Sequence, residues 1–427
     1  MIKSDQLKAA LSILRERIAN AKKRATHKGF IDYKGCLSVC HEFIAILEEA
    51  GQAAEQGNCI YAYSAASLVL VNCARLIGSA DDSAGGINDT QRDVINVLKK
   101  ACTGVEYGSP DAEYIYGQAL KDSQNKAFER CDEFSYVLLL PIAALATAKN
   151  VHKLYNVLDI LSERLRKKEY TSWHLEQDRL VRLSAITATE GEEAAEQYIA
   201  ANLEFDEIRR IAIRQAVDNG GYDLAEKLCI EKITSTSYGY HWTRKWYSLL
   251  FDVYVKCGDP DKQAELAEDL LLHHHDDHYY PILKALLLEK GVWNTRFSSI
   301  LDRLSQSLPY NSYMYILSQE NERTRLLEEL KMHPASVFHY GAQLSEHFPS
   351  VIYSLCLDEI RKQAAEANNR ALYKHICGNI RKLAKYGGKA EADDVIAELK
   401  SKYPRRPAML EELDLLAKRL AKKRRAP

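Results

Sequence analysis

Three segments of this 427-residue chain repeat one phrase: the end of an apolar stripe, a glycine, an acidic or aromatic residue, then a charge-flanked restart. They are Asp218-Asn219-Gly220-Gly221-Tyr222-Asp223, Lys256-Cys257-Gly258-Asp259-Pro260-Asp261 and Lys385-Tyr386-Gly387-Gly388-Lys389-Ala390. Glycine closes a helix at such points because it takes a left-handed φ without a Cβ penalty. The turns at Gly220, Gly258 and Gly291 fall 38 and 33 residues apart, room for two short helices each. That spacing is the signature of stacked helical hairpins of the tetratricopeptide or HEAT kind, in which each pair buries its apolar face only against its neighbours.

The stretches between the turns keep helical periodicity. Trp246, Leu249, Leu250, Val253, Tyr254 and Cys257 recur at i, i+3, i+4, i+7, i+8 and i+11, and Tyr373, Ile376, Cys377, Ile380, Leu383 and Ala384 follow a closely similar template. Ala392, Val395, Ile396 and Leu399 form the shorter helix that follows, and no long window alternates with period two. Asp259-Pro260 and Ser109-Pro110 each set a capping oxygen before a proline at the first helical position, and Thr90 with Asp93 reads as a capping box. The expected fold is therefore all-α, a solenoid of degenerate antiparallel helical hairpins. Weak periodicity over 104–132 divides it into an N-terminal helical module, 1–130, and a repeat region, 131–427, with a basic end.

Composition narrows the function classes. The formal net charge of −1 supplies no global attraction for nucleic acid or anionic lipid. Ten cysteines scattered singly along apolar stripes suit reduced, buried thiols rather than a disulfide framework. The N-terminus lacks the apolar core of a signal peptide, and the apolar run 137–148 is too short to span a bilayer and contains Pro141. A cytoplasmic protein with no membrane partner is expected. Gly-x-Ser-x-Gly, phosphate-loop and His-Glu-x-x-His patterns are all missing, so neither an enzyme nor a cofactor is expected.

From about residue 170 onward, four stretches carry a family likeness. They are residues 198–209, the run Lys245-Trp246-Tyr247-Ser248-Leu249-Leu250 leading to Cys257-Gly258-Asp259, the run Tyr279-Tyr280-Pro281-Ile282-Leu283-Lys284 with Trp293 beyond it, and the closing Tyr403-Pro404-Arg405-Arg406-Pro407-Ala408-Met409-Leu410-Glu411-Glu412-Leu413. In these the chain resembles the C-terminal helical region of bacterial SWIM zinc finger proteins. The finger itself requires Cys-x-Cys followed by Cys-x-His, and neither pair occurs here, so its zinc and DNA chemistry does not transfer. The resemblance implies a protein partner, a MoxR-type ATPase or a von Willebrand A-type protein.

Three residue groups are candidate sites. Tyr238, Tyr240, His241, Trp242 and Trp246 crowd one inter-helix junction, and Tyr240, Trp242 and Arg244 are expected to face a protein partner, with Trp246 in the core. Arg405, Arg406, Lys422, Lys423, Arg424 and Arg425 form a basic end suited to phosphates. His273, His275 and His278 lie beside Asp276 and Asp277 in a turn where imidazoles could ligate a metal. Cys36 with Cys40 on one helical face, and Asp81, Asp82 and Asp89 around Gly85, read more simply as buried thiols and helix caps.

Overall fold

Residues 4–165, 172–236 and 239–424 are described by the computed structural model, with backbone alone at 165 and 422–424. Among them are 22 α-helices, two short 3-10 turns and a two-residue hairpin, Thr26–His27 against Phe30–Ile31. The chain divides into two compact units, Met1–Cys257 and Gly258–Pro427.

In the first unit, α1 (Ser4–Ala25), α2 (Tyr33–Glu55), α3 (Cys59–Leu76) and α4 (Gly86–Thr103) pack around one another, and α3 is the central member. α5 (Pro110–Asp122), α6 (Glu133–Ala143), α7 (Val151–Leu165) and α8 (Ser172–Glu190) extend the same core, which runs from Leu7 to Ala185. Phe128, Cys131 and Phe134 all belong to it, so residues on both sides of position 130 share their packing. α3 is long and apolar enough to cross a bilayer, but 78% of it is buried inside this unit.

A buried ion cluster stands where this core ends. Asp178 on α8, 1% exposed, accepts from Arg179 Nη1 at 2.8 Å and from Arg182 Nε at 2.8 Å. Arg182 also reaches Asp159 on α7 at 2.8 Å and lies over the Tyr155 ring, while Arg179 lies over Phe205. Burial works against the Arg182 charge, but its hydrogen bonds to Asp178 and Asp159 prevail and raise its pKa. Beyond this point a smaller core of Leu183, Ala195, Ile199 and Ile208 takes over. There α9 (Glu192–Ala200), α10 (Asp206–Asp218), α11 (Tyr222–Ser235) and α12 (Tyr240–Cys257) pack each on the next.

The second unit is a regular stack. α13 (Pro260–His273), α14 (Tyr279–Glu289), α15 (Trp293–Ser307), α16 (Tyr310–Gln319) and α17 (Arg323–Met332) make its first half. α18 (Val337–Leu344), α19 (Pro349–Glu366), α20 (Arg370–Lys385), α21 (Lys389–Lys402) and α22 (Pro407–Arg424) make the second. Each helix packs on the next, and α13, α18, α19 and α20 also pack on the next but one. That neighbour-only pattern is a solenoid of antiparallel hairpins.

The punctuation works as the sequence implies. Gly220, Gly258, Gly291 and Gly387 all have positive φ, at 75°, 72°, 71° and 108°. Asn321, at φ 56°, takes the same role between α16 and α17 without a glycine. Asp259 accepts from the Asp261 and Lys262 amides, and Ser109 from the Ala112 amide. The stripes of α20 and α21 are buried throughout, whereas Cys257 is exposed at the end of α12. Thr90 is not a cap. It lies inside α4, buried, and donates to the Gly86 carbonyl at 2.8 Å, while Asp82 caps that helix by accepting from the Ile87 amide at 3.0 Å. The nine other cysteines are buried. Burial pushes the Cys36 thiol up to about 12.

Candidate functional site

The junction of α11 and α12 separates two tryptophans one turn apart. Trp246 is 1% exposed and fills the space between α10, α11 and α12. Three cations surround its ring: Lys245 at 5.6 Å, Arg210 at 5.7 Å and Lys232 at 5.9 Å from the centroid. Asp206, at the start of α10, joins two of them, with Lys245 at 2.6 Å and Lys232 at 2.7 Å. Burial alone would push the Asp206 carboxyl up, but the hydrogen bonds from both ammonium groups outweigh it and leave it below its ordinary range.

Trp242 is 64% exposed, the most exposed large apolar side chain among the described residues. It lines, with Asp206, Lys232, Thr236 and Lys245, an open hollow of about 300 Å³ above Trp246. Tyr240 is half-buried with its ring against Tyr247, centroids 5.6 Å apart, and Arg244 is exposed. Tyr238 lies outside the described residues. The structure thus places Trp242 and Arg244 outward and Trp246 inward, as helical spacing requires. Asp206, Lys232 and Arg210 escape sequence reasoning because they reach this point from two other helices with no short-range signal.

Of the basic end, Arg405 and Arg406 are described with their side chains. Arg406 donates to the carbonyls of Ala364 at 2.7 Å, Ala367 at 3.0 Å and Ala365 at 3.3 Å, and stacks on Tyr403 with its guanidinium carbon 4.3 Å from the ring centroid. Those carbonyls are the orphan acceptors at the end of α19, where a cation is favoured by the helix dipole. Arg406 is therefore a structural clasp between α19 and the turn before α22. Arg405 is exposed. The side chains of Lys422, Lys423 and Arg424, and the whole of Arg425, lie outside the described residues. Arg406→Ala is expected to cost about 1–2 kcal/mol in chemical denaturation, the scale of charge-assisted hydrogen bonds lost from part-buried acceptors, with Arg405→Ala nearly silent.

The histidines do not converge. His273, in the last turn of α13, is held by Asp269 at 2.7 Å. His275 takes a left-handed φ of 58°, and His278 stands at the start of α14 with its ring against Tyr279. Burial lowers the pKa of His274 between them. Among the described residues no group of three His, Cys, Asp or Glu side chains is arranged to hold a metal.

No protein-family model matches the chain, and no curated protein is similar to it. One solved structure, described as a circular tandem repeat protein with novel repeat topology and enhanced subunit contact surfaces, is 13% identical, with 97% of each chain covered. Its TM-score is 0.18, so the likeness carries no structural argument. The fold rests on the helices and their packing.

Proposed function

We propose that this chain is a non-enzymatic helical-repeat scaffold that docks a protein partner on the α11–α12 edge, with Trp242 as the anchor. The observation that carries this reading is the contrast between the two tryptophans. The Trp242 indole is 64% exposed, whereas Trp246 one turn on is 1% exposed. Large aromatic side chains beside a polar rim are the residues that dominate interface energetics, because a partner desolvates them at little entropic cost. Lys232, Lys245 and Asp206 supply that rim.

The likeness of residues 198–209, 245–259, 279–293 and 403–413 to the SWIM zinc finger family supports a bacterial cytoplasmic setting and a MoxR-type ATPase or von Willebrand A-type partner. A nucleic-acid role through residues 405–425 is less well supported, since Arg406 is already engaged at the end of α19. Mixing purified chain with a MoxR-type ATPase and a von Willebrand A-type protein from the same organism tests the partner class. Co-elution in gel filtration that is lost in Trp242→Ala is the expected result. Co-elution that survives it removes the docking site, and binding to a DNA duplex instead, abolished by raised salt, favours the nucleic-acid reading.

A further inference from the structure

A second hollow lies nearer the N-terminus of the first unit. Between α1 and α5, with α3 as its floor, is a cleft of about 650 Å³, within the roughly 300–1,000 Å³ of small-molecule sites. One face of α3 forms the floor: Ser64, Ser67, Leu68, Val71, Asn72 and Arg75, spaced by three and four residues. α3 is apolar enough to pass for a membrane span, yet this face carries two hydroxyls, an amide and a guanidinium. Polar groups on a core helix are costly unless they meet water, a partner or a ligand.

The walls are charged asymmetrically. α1 contributes Arg15 and Lys22, and α5 contributes Tyr114, Gln118 and Asp122 at four-residue spacing. Lys22 Nζ donates to Asn72 Oδ1 at 2.9 Å and to the Asn72 carbonyl at 3.3 Å, both neutral acceptors. Asn72, 7% exposed, is fixed in turn by donating to the Leu68 carbonyl at 2.9 Å. Among the described residues Arg15, Lys22 and Arg75 form no ion pair, while Arg17 on the neighbouring face of α1 pairs with Glu42 and Glu49, each at 2.8 Å. Asp122 is the one carboxylate of the lining. It accepts from Ser67 at 2.7 Å, Gln118 at 2.7 Å and Tyr63 at 3.3 Å, which leaves acceptor capacity on a group with about four lone-pair positions.

Three cations that form no ion pair, against a single carboxylate in the same concavity, leave a net positive charge that focuses a positive potential into it. We propose that this cleft binds a small molecule bearing an oxyanion, phosphate or carboxylate, which sits among Arg15, Lys22 and Arg75 while a hydroxyl or amine of the same molecule donates to Asp122. Lysine supplies a point charge and arginine a planar fork, the pair of donors that such oxyanions take.

Proton linkage follows from the same geometry. Burial, then repulsion from Arg75, pushes Lys22 down to about 8. Its other neighbours offer little compensation: Cys73 on α3 and the Phe43 ring on α2, 6.0 Å away. A bound anion restores the preference for the charged form, so binding above pH 8 takes up a proton and binding below pH 7 does not.

Isothermal titration of the full chain with pyrophosphate and with citrate, at pH 6.5 and 8.5 in buffers of different ionisation heat, tests this. Saturable binding at one site is expected, with proton uptake at pH 8.5 for citrate, which is fully ionised there, so that the proton goes to Lys22. Preference for pyrophosphate identifies a phosphorylated ligand, and preference for citrate a polycarboxylate. Arg75→Gln and Arg15→Gln, both at exposed positions, are each expected to weaken binding about tenfold, and Lys22→Met to abolish the proton uptake. Failure of both probes to bind at millimolar concentration overturns the proposal, as does undiminished affinity in both arginine variants. Citrate binding at pH 8.5 without proton uptake removes Lys22 from the site and overturns it equally.

Discussion

Trp246→Ala is expected to destabilise the first unit by about 3–5 kcal/mol, the range for deleting a buried aromatic from a packed core. The side chain is enclosed by α10, α11 and α12, and its removal also strips the ring from under Lys245, Arg210 and Lys232. Trp242→Ala, by contrast, is expected to change stability by less than about 0.5 kcal/mol, the ordinary range for exposed positions. Urea unfolding of the two variants followed by circular dichroism compares them directly. A large loss in Trp242→Ala would mean that its indole is a packing element, and the docking proposal would lose its basis.

The second large effect concerns Asp178. Its carboxylate is 1% exposed and receives both Arg179 and Arg182, so Asp178→Ala leaves two guanidinium groups facing a partly buried vacancy. Removing one side of such a cluster costs about 3–5 kcal/mol because the remaining charge is desolvated without compensation. Asp178→Asn keeps an acceptor oxygen and the side-chain volume, so it should cost less than Asp178→Ala. If guanidinium unfolding shows Asp178→Ala within about 1 kcal/mol of wild type, water reaches the cluster more freely than its burial implies, and its role in joining α7 to α8 is wrong.

What was legible in the sequence follows the range of the interactions. Glycines at 220, 258 and 387, the caps Ser109 and Asp259 that each precede a proline, and the buried stripe from Tyr373 to Ala384 are local signals, and each reads correctly because helix ends and faces are set within a few residues. Thr90 misleads for the same reason. A threonine three residues before an acid satisfies the capping pattern, but Gly85 and Asp82 begin α4 earlier and Thr90 turns back onto the Gly86 carbonyl. The candidate site was legible only in part. Spacing separates Trp242 from Trp246, yet the cage of Lys232, Arg210 and Asp206 comes from residues 14 to 40 positions away in sequence. Arg406 looked like half of a basic pair, and only the packed end of α19 gives it its carbonyl partners. The cleft over α3 left a trace in the chain, a polar stripe at 64, 67, 72 and 75 in an otherwise apolar helix, which an accounting of polar residues by helical face would have found.

On the scaffold proposal, Trp242 anchors a protein partner on the α11–α12 edge. Quantitative affinity purification from the source organism tests it most directly, with wild type, Trp242→Ala and a neutral surface variant such as Arg405→Ala expressed at equal levels. One set of proteins is expected to be enriched by wild type and Arg405→Ala and depleted at least about tenfold in Trp242→Ala, the scale of losing a hot-spot aromatic. Recovery of the same proteins in undiminished yield with Trp242→Ala would contradict the account.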